Sequence, residues 1–156
     1  MKNLNTYIHE KLTIVHKSYN FAPQTKGELK KIIKDRLEKD PNADLNDIDV
    51  SNIIDMSRLF YHLDPHNIDI SKWDVSNVEN MNGMFEYCKN FNSDLSHWDV
   101  SNVRGMYCMF FSCQKLNSDF NEWDISKVED MKGMFAGCYN LSESPEWYVE
   151  KYEHTI

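Results

Sequence analysis

Two sets of aspartates recur at one interval. Asp74, Asp99 and Asp124 stand 25 residues apart, and so do Asp69, Asp94 and Asp119. Paired carboxylates can do acid–base chemistry, but a catalytic pair needs two different environments. A repeat gives each copy the same environment, so the spacing points to turn capping, in which a short carboxylate accepts backbone N–H bonds. The run "DLNDIDVSN" at 44–52 looks like a calcium loop, yet it lacks the central Gly and the distal Glu such a loop requires. His62 and His66 have the i,i+4 spacing of a metal pair, and Pro65 between them disfavours a regular helix. Cys88, Cys113 and Cys138 are also 25 residues apart, with Cys108 as the fourth cysteine. That is the interval of the aspartates, not the spacing of a zinc site. The cysteines read as reduced thiols serving as small buried apolar groups. There is no G-x-S-x-G, P-loop, G-x-G-x-x-G or H-E-x-x-H. The expectation is a chain that is not an enzyme, with no cofactor and no metal.

The interval belongs to a repeated phrase: "KWDVSNVENMNGMF" at 72–85, "HWDVSNVRGMYCMF" at 97–110 and "EWDISKVEDMKGMF" at 122–135. Trp73, Trp98 and Trp123 align, as do Met81, Met106 and Met131, and Phe85, Phe110 and Phe135. A degenerate copy precedes them, with Leu45, Ile48, Val50, Ile53, Met56, Leu59 and Phe60 in the matching places. Within a copy, "DLSHWDV" alternates and reads as a short extended piece with a turn. In "SNVRGMYCMF" the apolar residues Val103, Met106, Met109 and Phe110 read as a helical face. Ser76, Ser101 and Ser126 stand where an N-cap belongs, and Glu79 and Glu129 complete capping boxes.

One such unit buries about seven apolar side chains, worth ~10–20 kcal/mol gross. Ordering its backbone costs ~25–50 kcal/mol. It must therefore stack on its neighbours to fold. The expected fold is an α/β solenoid of about four 25-residue strand-plus-short-helix coils. Residues 44–141 form the array, 1–43 an N-terminal helical cap and 142–156 a C-terminal cap or tail. The stretch "TKGELKKIIKDRLEKDP" has Thr25 and Glu28 in capping-box spacing and a face of Leu29, Ile32, Ile33 and Leu37. Leu4, Tyr7, Ile8, Leu12 and Val15 suggest an earlier amphipathic helix, packed on the cap or docked on a partner. Trp147, Tyr148, Val149 and Tyr152 are expected to fold over the last coil.

Charge is unevenly placed. Residues 1–43 carry nine Lys/Arg and five Asp/Glu, and residues 44–156 carry eight and twenty. An acidic body repels phosphates, so no direct nucleic-acid binding is expected. No apolar run is long enough for an export signal or a membrane span, which gives the expectation of a cytoplasmic protein that does not bind membranes.

These phrases resemble the BspA-like leucine-rich-repeat family of bacterial surface proteins. The branch in question has a coil that reads W-D-[VI]-S-x-V-x-x-M-x-x-M-F-x-x-C-x-x-[FL]-N-x-D-[LI]-S-x-W. The likeness covers about residues 24–141. It implies a curved solenoid and a role in binding other proteins, some members being exported adhesins. No catalytic residue is associated with the repeat.

Frame positions are fixed by packing, so partner-binding residues are sought where the coils disagree. Tyr61, Tyr87, Tyr107 and Phe111 are aromatic at nominally exposed places and are candidate anchors. His97 beside the aspartates, with Asp94 and Asp119, completes the candidate set. The leading expectation is a non-enzymatic protein–protein interaction module with a protein partner. The alternatives are a small acidic inhibitor in the basic nucleic-acid groove of a bacterial defence or nucleic-acid-processing enzyme, and an exported adhesin-like surface protein.

Overall fold

The computed structural model describes residues 19–152. The expected helix around Leu4–Val15 lies outside them, as does the side chain of Tyr152. Two helices occur among the described residues: α1, Lys26–Leu37, and α2, Glu146–Tyr152. No strand is present among these residues, and parallel pairing is confined to isolated bridges.

The α/β solenoid of strand-plus-short-helix coils is therefore not what the chain forms. Each coil is instead a succession of turns. In the coil that begins at Asp94, Trp98 bonds back to Leu95, Val103 to Val100, Met109 to Met106, Cys113 to Phe110 and Leu116 to Cys113, all N–H to C=O over three residues. Every one of these turns starts and ends on a buried side chain. The spacing of about three that resembles a helical face comes from turn ends pointing inward. A helix is also blocked at two points per coil. Arg58, Gly83, Cys108 and Gly133 all have φ between 51° and 70°, and His62, Tyr87, Ser112 and Gly137 between 57° and 80°. Right-handed helix requires negative φ.

Nor do the serines cap helices. Ser76 and Ser101 turn N–H and hydroxyl onto Asp74 Oδ1 and Asp99 Oδ1. Ser126 directs its N–H to Asp124 Oδ1 at 3.0 Å. These are Asx turns, the role expected of the aspartates.

Coils join in a 25-residue register. Bridges pair Asp55 with Asn80, Asn80 with Gly105, and Gly105 with Asp130. Beside them Met81, Gly83, Phe85 and Tyr87 donate N–H to the carbonyls of Gly105, Tyr107, Met109 and Phe111 at 2.8–2.9 Å. The coils before and after repeat this pattern, from Met56–His62 to Asn80–Glu86 and from Met106–Ser112 to Asp130–Ala136. The N–H groups of Glu79, Arg104 and Glu129 point back to the earlier coil, but along this ladder every donor faces the later coil and every acceptor the earlier one. Such aligned peptides sum to a dipole along the stack. At its acceptor end, Lys26 Nζ of α1 reaches Asp55 Oδ2 at 2.6 Å and the Ser57 carbonyl at 3.3 Å, while Lys30 Nζ reaches the Arg58 carbonyl at 3.0 Å.

Inside, side chains form columns. Phe60, Phe85, Phe110 and Phe135 stack with centroids 5.1, 5.5 and 5.8 Å apart and near-parallel rings. Trp73, Trp98 and Trp123 are each 4% exposed. Their indole N–H groups bond the carbonyls of Leu45, Ile70 and Leu95 in the preceding coil. Leu29 and Ile33 of α1 are fully buried. At the other end Trp147 and Tyr148 of α2 cover Phe135, with centroids at 6.2 and 5.1 Å.

Candidate functional site

Two surface features gather most of the residues singled out by sequence. The first is an aromatic ridge. It exists because turn geometry faces alternate side chains outward at the same place in successive coils. Tyr61 meets Tyr87 edge-on at 6.0 Å, and Tyr87 meets Phe111 edge-on at 5.4 Å. His62 stacks flat on Tyr87 at 4.7 Å and 10°. The Arg58 guanidinium lies over Tyr61, 5.4 Å from the ring centre. Tyr61, Tyr87 and Phe111 are half-buried, so the ridge is anchored in the body yet open along one side. Edge-to-face pairs contribute about 0.5–1.5 kcal/mol beyond burial, enough to hold these rings in place before any partner arrives.

Tyr107 is 47% exposed and makes no ring contact with the ridge among the described residues. A hydrogen bond with Cys108 and then the negative charge nearby push its hydroxyl pKa up.

The second feature is a polar trough. Asn92, Asp94, Ser96, Asn117 and Asp119 line a hollow of about 400 Å³. Asn92 also lines an adjoining hollow of about 530 Å³ with His66, Asn67, Asn90, Gln114, Lys115 and Asn140. Asp94 and Asp119 are thus brought together. The Ser96 hydrogen bonds, with His97 adding its charge, hold the Asp94 carboxyl below the ordinary carboxylate range. His97 itself is exposed.

The repeat register, the Asx turns and the two capped ends describe one continuous unit from α1 to α2. A family model described as "Mycoplasma protein of unknown function, DUF285" matches residues 28–148. The chain belongs to that family. The matched span takes in most of α1, every coil and the start of α2. Comparison with curated proteins and with solved structures yields no match.

In this DUF285 chain the cysteines form another internal column. Cys88, Cys113 and Cys138 direct their thiols at the carbonyls of Phe60, Phe85 and Phe110, each at 3.1 Å. Burial pushes the Cys88 and Cys138 thiols up to about 12, and Cys113 higher still. All four cysteines are free thiols. Among the described residues no group of three His, Cys, Asp or Glu is placed to hold a metal ion, and no helix is long and apolar enough to cross a membrane.

Sequence reasoning missed Arg58 and His62 as members of the ridge. His62 drew notice for its spacing to His66, whereas its ring is committed to Tyr87. Its place in the variable column with Tyr87 was the signal that could have found it. Asn67, Asn92 and Asn117 also recur at the 25-residue interval, where amides can stack as a ladder. That ladder is present in part, since Asn117 N–H donates to Asn92 Oδ1 and Asn67 N–H to Asn42 Oδ1.

Proposed function

We propose that this chain is a non-enzymatic protein-interaction module of the BspA-like repeat kind, and that its partner seats on the ridge of Tyr61, His62, Tyr87 and Phe111. The observation that carries this reading is the run of edge-on and stacked rings across three successive coils. Frame residues at the same level are buried, whereas these rings vary from coil to coil and stay partly open. Rigid aromatics at the centre of an interface supply much of its affinity. Capture of partners from the native host, measured side by side for wild type and Tyr87→Ser/Phe111→Ser, tests this. The ridge variant should lose at least about tenfold in affinity, while Tyr139→Ser keeps it. Equal capture by both variants would refute the ridge.

A second reading is favoured by charge. Asp44, Asp69, Asp94 and Asp119 make one column of carboxylates, and Asp49, Asp74, Asp99 and Asp124 make another. Most of them are pinned in Asx turns, so the face presents fixed negative charge suited to the basic groove of a nucleic-acid-processing enzyme. Such binding weakens steeply with salt. Binding that survives high salt and ridge substitution alike would exclude both surfaces.

A further inference from the structure

The trough holds more hydrogen-bonding capacity than the fold consumes. The side-chain amides of Asn67 and Gln114 make no hydrogen bond among the described residues. Asn92 uses Oδ1 to accept from the Asn117 N–H at 2.8 Å, which leaves its amino group over. Asn140 uses its amino group on the Lys115 carbonyl at 3.3 Å, which leaves Oδ1 over. Asn90 is different, being committed to Asp64 through its own N–H and its Nδ2. Spare donors and spare acceptors therefore line one hollow of about 530 Å³, which shares Asn92 with the hollow lined by Ser96, Ser118 and Asp119.

We propose that this trough binds a neutral oligosaccharide. A sugar hydroxyl donates and accepts at once, so it suits a wall that alternates amide N–H₂, amide C=O and serine hydroxyl. The wall has no apolar side chain, so it offers no pocket for the alternate side chains of a bound peptide strand. The larger hollow has no carboxylate in its wall and only His66 and Lys115 beside the amides, so it is no match for a strongly charged ligand. Tyr139, next to Asn140 in the chain, is 83% exposed. This inference stands apart from the ridge and does not need it.

The test follows the side-chain N–H₂ resonances of Asn67, Asn92 and Gln114 in the full chain. Cellotriose, maltotriose and triacetylchitotriose are the probes, each taken to about 10 mM because unassisted sugar binding is expected near the millimolar range. At least one trisaccharide should shift all three amides saturably. Asn67→Ala/Gln114→Ala should weaken that affinity about tenfold. Neither replaced side chain supports an internal bond, so the backbone amide spectrum of the variant should stay native, and Tyr87→Ser should bind sugar as wild type does. No shift with any of the three sugars would overturn the proposal. So would a shift the double variant leaves unchanged, or a neutral Gly-Ser hexapeptide that moves the same resonances at lower concentration than every sugar.

Discussion

The indole N–H of Trp147 donates to the carbonyl of Phe120 at 3.0 Å. One coil earlier, Trp123 makes the corresponding bond to Leu95 at 3.1 Å. Trp147 belongs to α2 and not to a coil, so the helix closes the stack by supplying the side chain the next coil would have brought. An end left open would expose the Phe135 ring and leave the Phe120 carbonyl without its indole donor.

Replacing that indole should therefore loosen the last coil first. Trp147→Phe keeps much of the ring contact with Phe135 and removes the hydrogen bond, a cost of about 1 kcal/mol. Trp147→Ala also opens the cap and should cost about 2 kcal/mol or more. Urea unfolding of the two variants checks the order. Midpoints equal to wild type would show that α2 does not seal the array.

How much of this could be read from sequence depends on the feature. The register was legible because each frame residue must meet its own copy in the next coil. Tryptophans 25 apart can hardly do otherwise once they all lie inside. The conformation within a coil was not legible. A turn that closes over three residues and a helix of 3.6 residues put side chains on one face at nearly the same spacing. The φ > 0 positions, which would have separated the two, carry Gly83, Gly133 and Gly137 in some coils, but Arg58, Tyr87, Cys108 and Ser112 in others. Glycine was thus too sparse to announce the turn. The alternation in "DLSHWDV" misled likewise, since Leu95 and Trp98 are the two ends of one turn. Of the candidate site, the aromatic members were visible as disagreements between coils. The amides of the trough were hidden because Asn is also the ordinary residue of turns.

The Asx turns make stability depend on pH in a fixed direction. Hydrogen bonds from Ser71, Ser96, Ser101 and Ser126 hold the carboxyls of Asp69, Asp94, Asp99 and Asp124 below their ordinary values. A carboxyl depressed in the folded state adds stability above its unfolded pKa, and that contribution is lost as pH falls through the folded pKa. The urea midpoint should stay level from neutral pH to about 5 and decline below about 4. Each contribution is small because these groups face solvent. Asp99→Asn keeps an oxygen for Ser101 and removes the titration, so its decline should be shallower. A midpoint that rises as pH falls from about 5 to about 3 would contradict this.

The thiol column should be chemically silent while the protein is folded. With Cys88 and Cys138 held up to about 12 and Cys113 above them, almost no thiolate exists near neutral pH. An aromatic disulfide reagent should leave these three unmodified in native protein and reach all four cysteines in urea. Rapid native labelling of Cys113, the middle of the column, would mean that the coils separate on the time scale of the reaction.

The most direct measurement is the removal of one whole coil. Deleting residues 97–121 joins Ser96 to Glu122 and leaves every remaining frame residue facing its counterpart. The shortened chain should still unfold in a single cooperative urea transition, with a smaller slope because less surface is exposed. Deleting about half as many residues from the same point puts polar turn residues against the Phe and Trp columns and should abolish cooperative unfolding. If the half-coil deletion folds as well as the whole-coil deletion, or if neither folds, the coils are not interchangeable floors for one another.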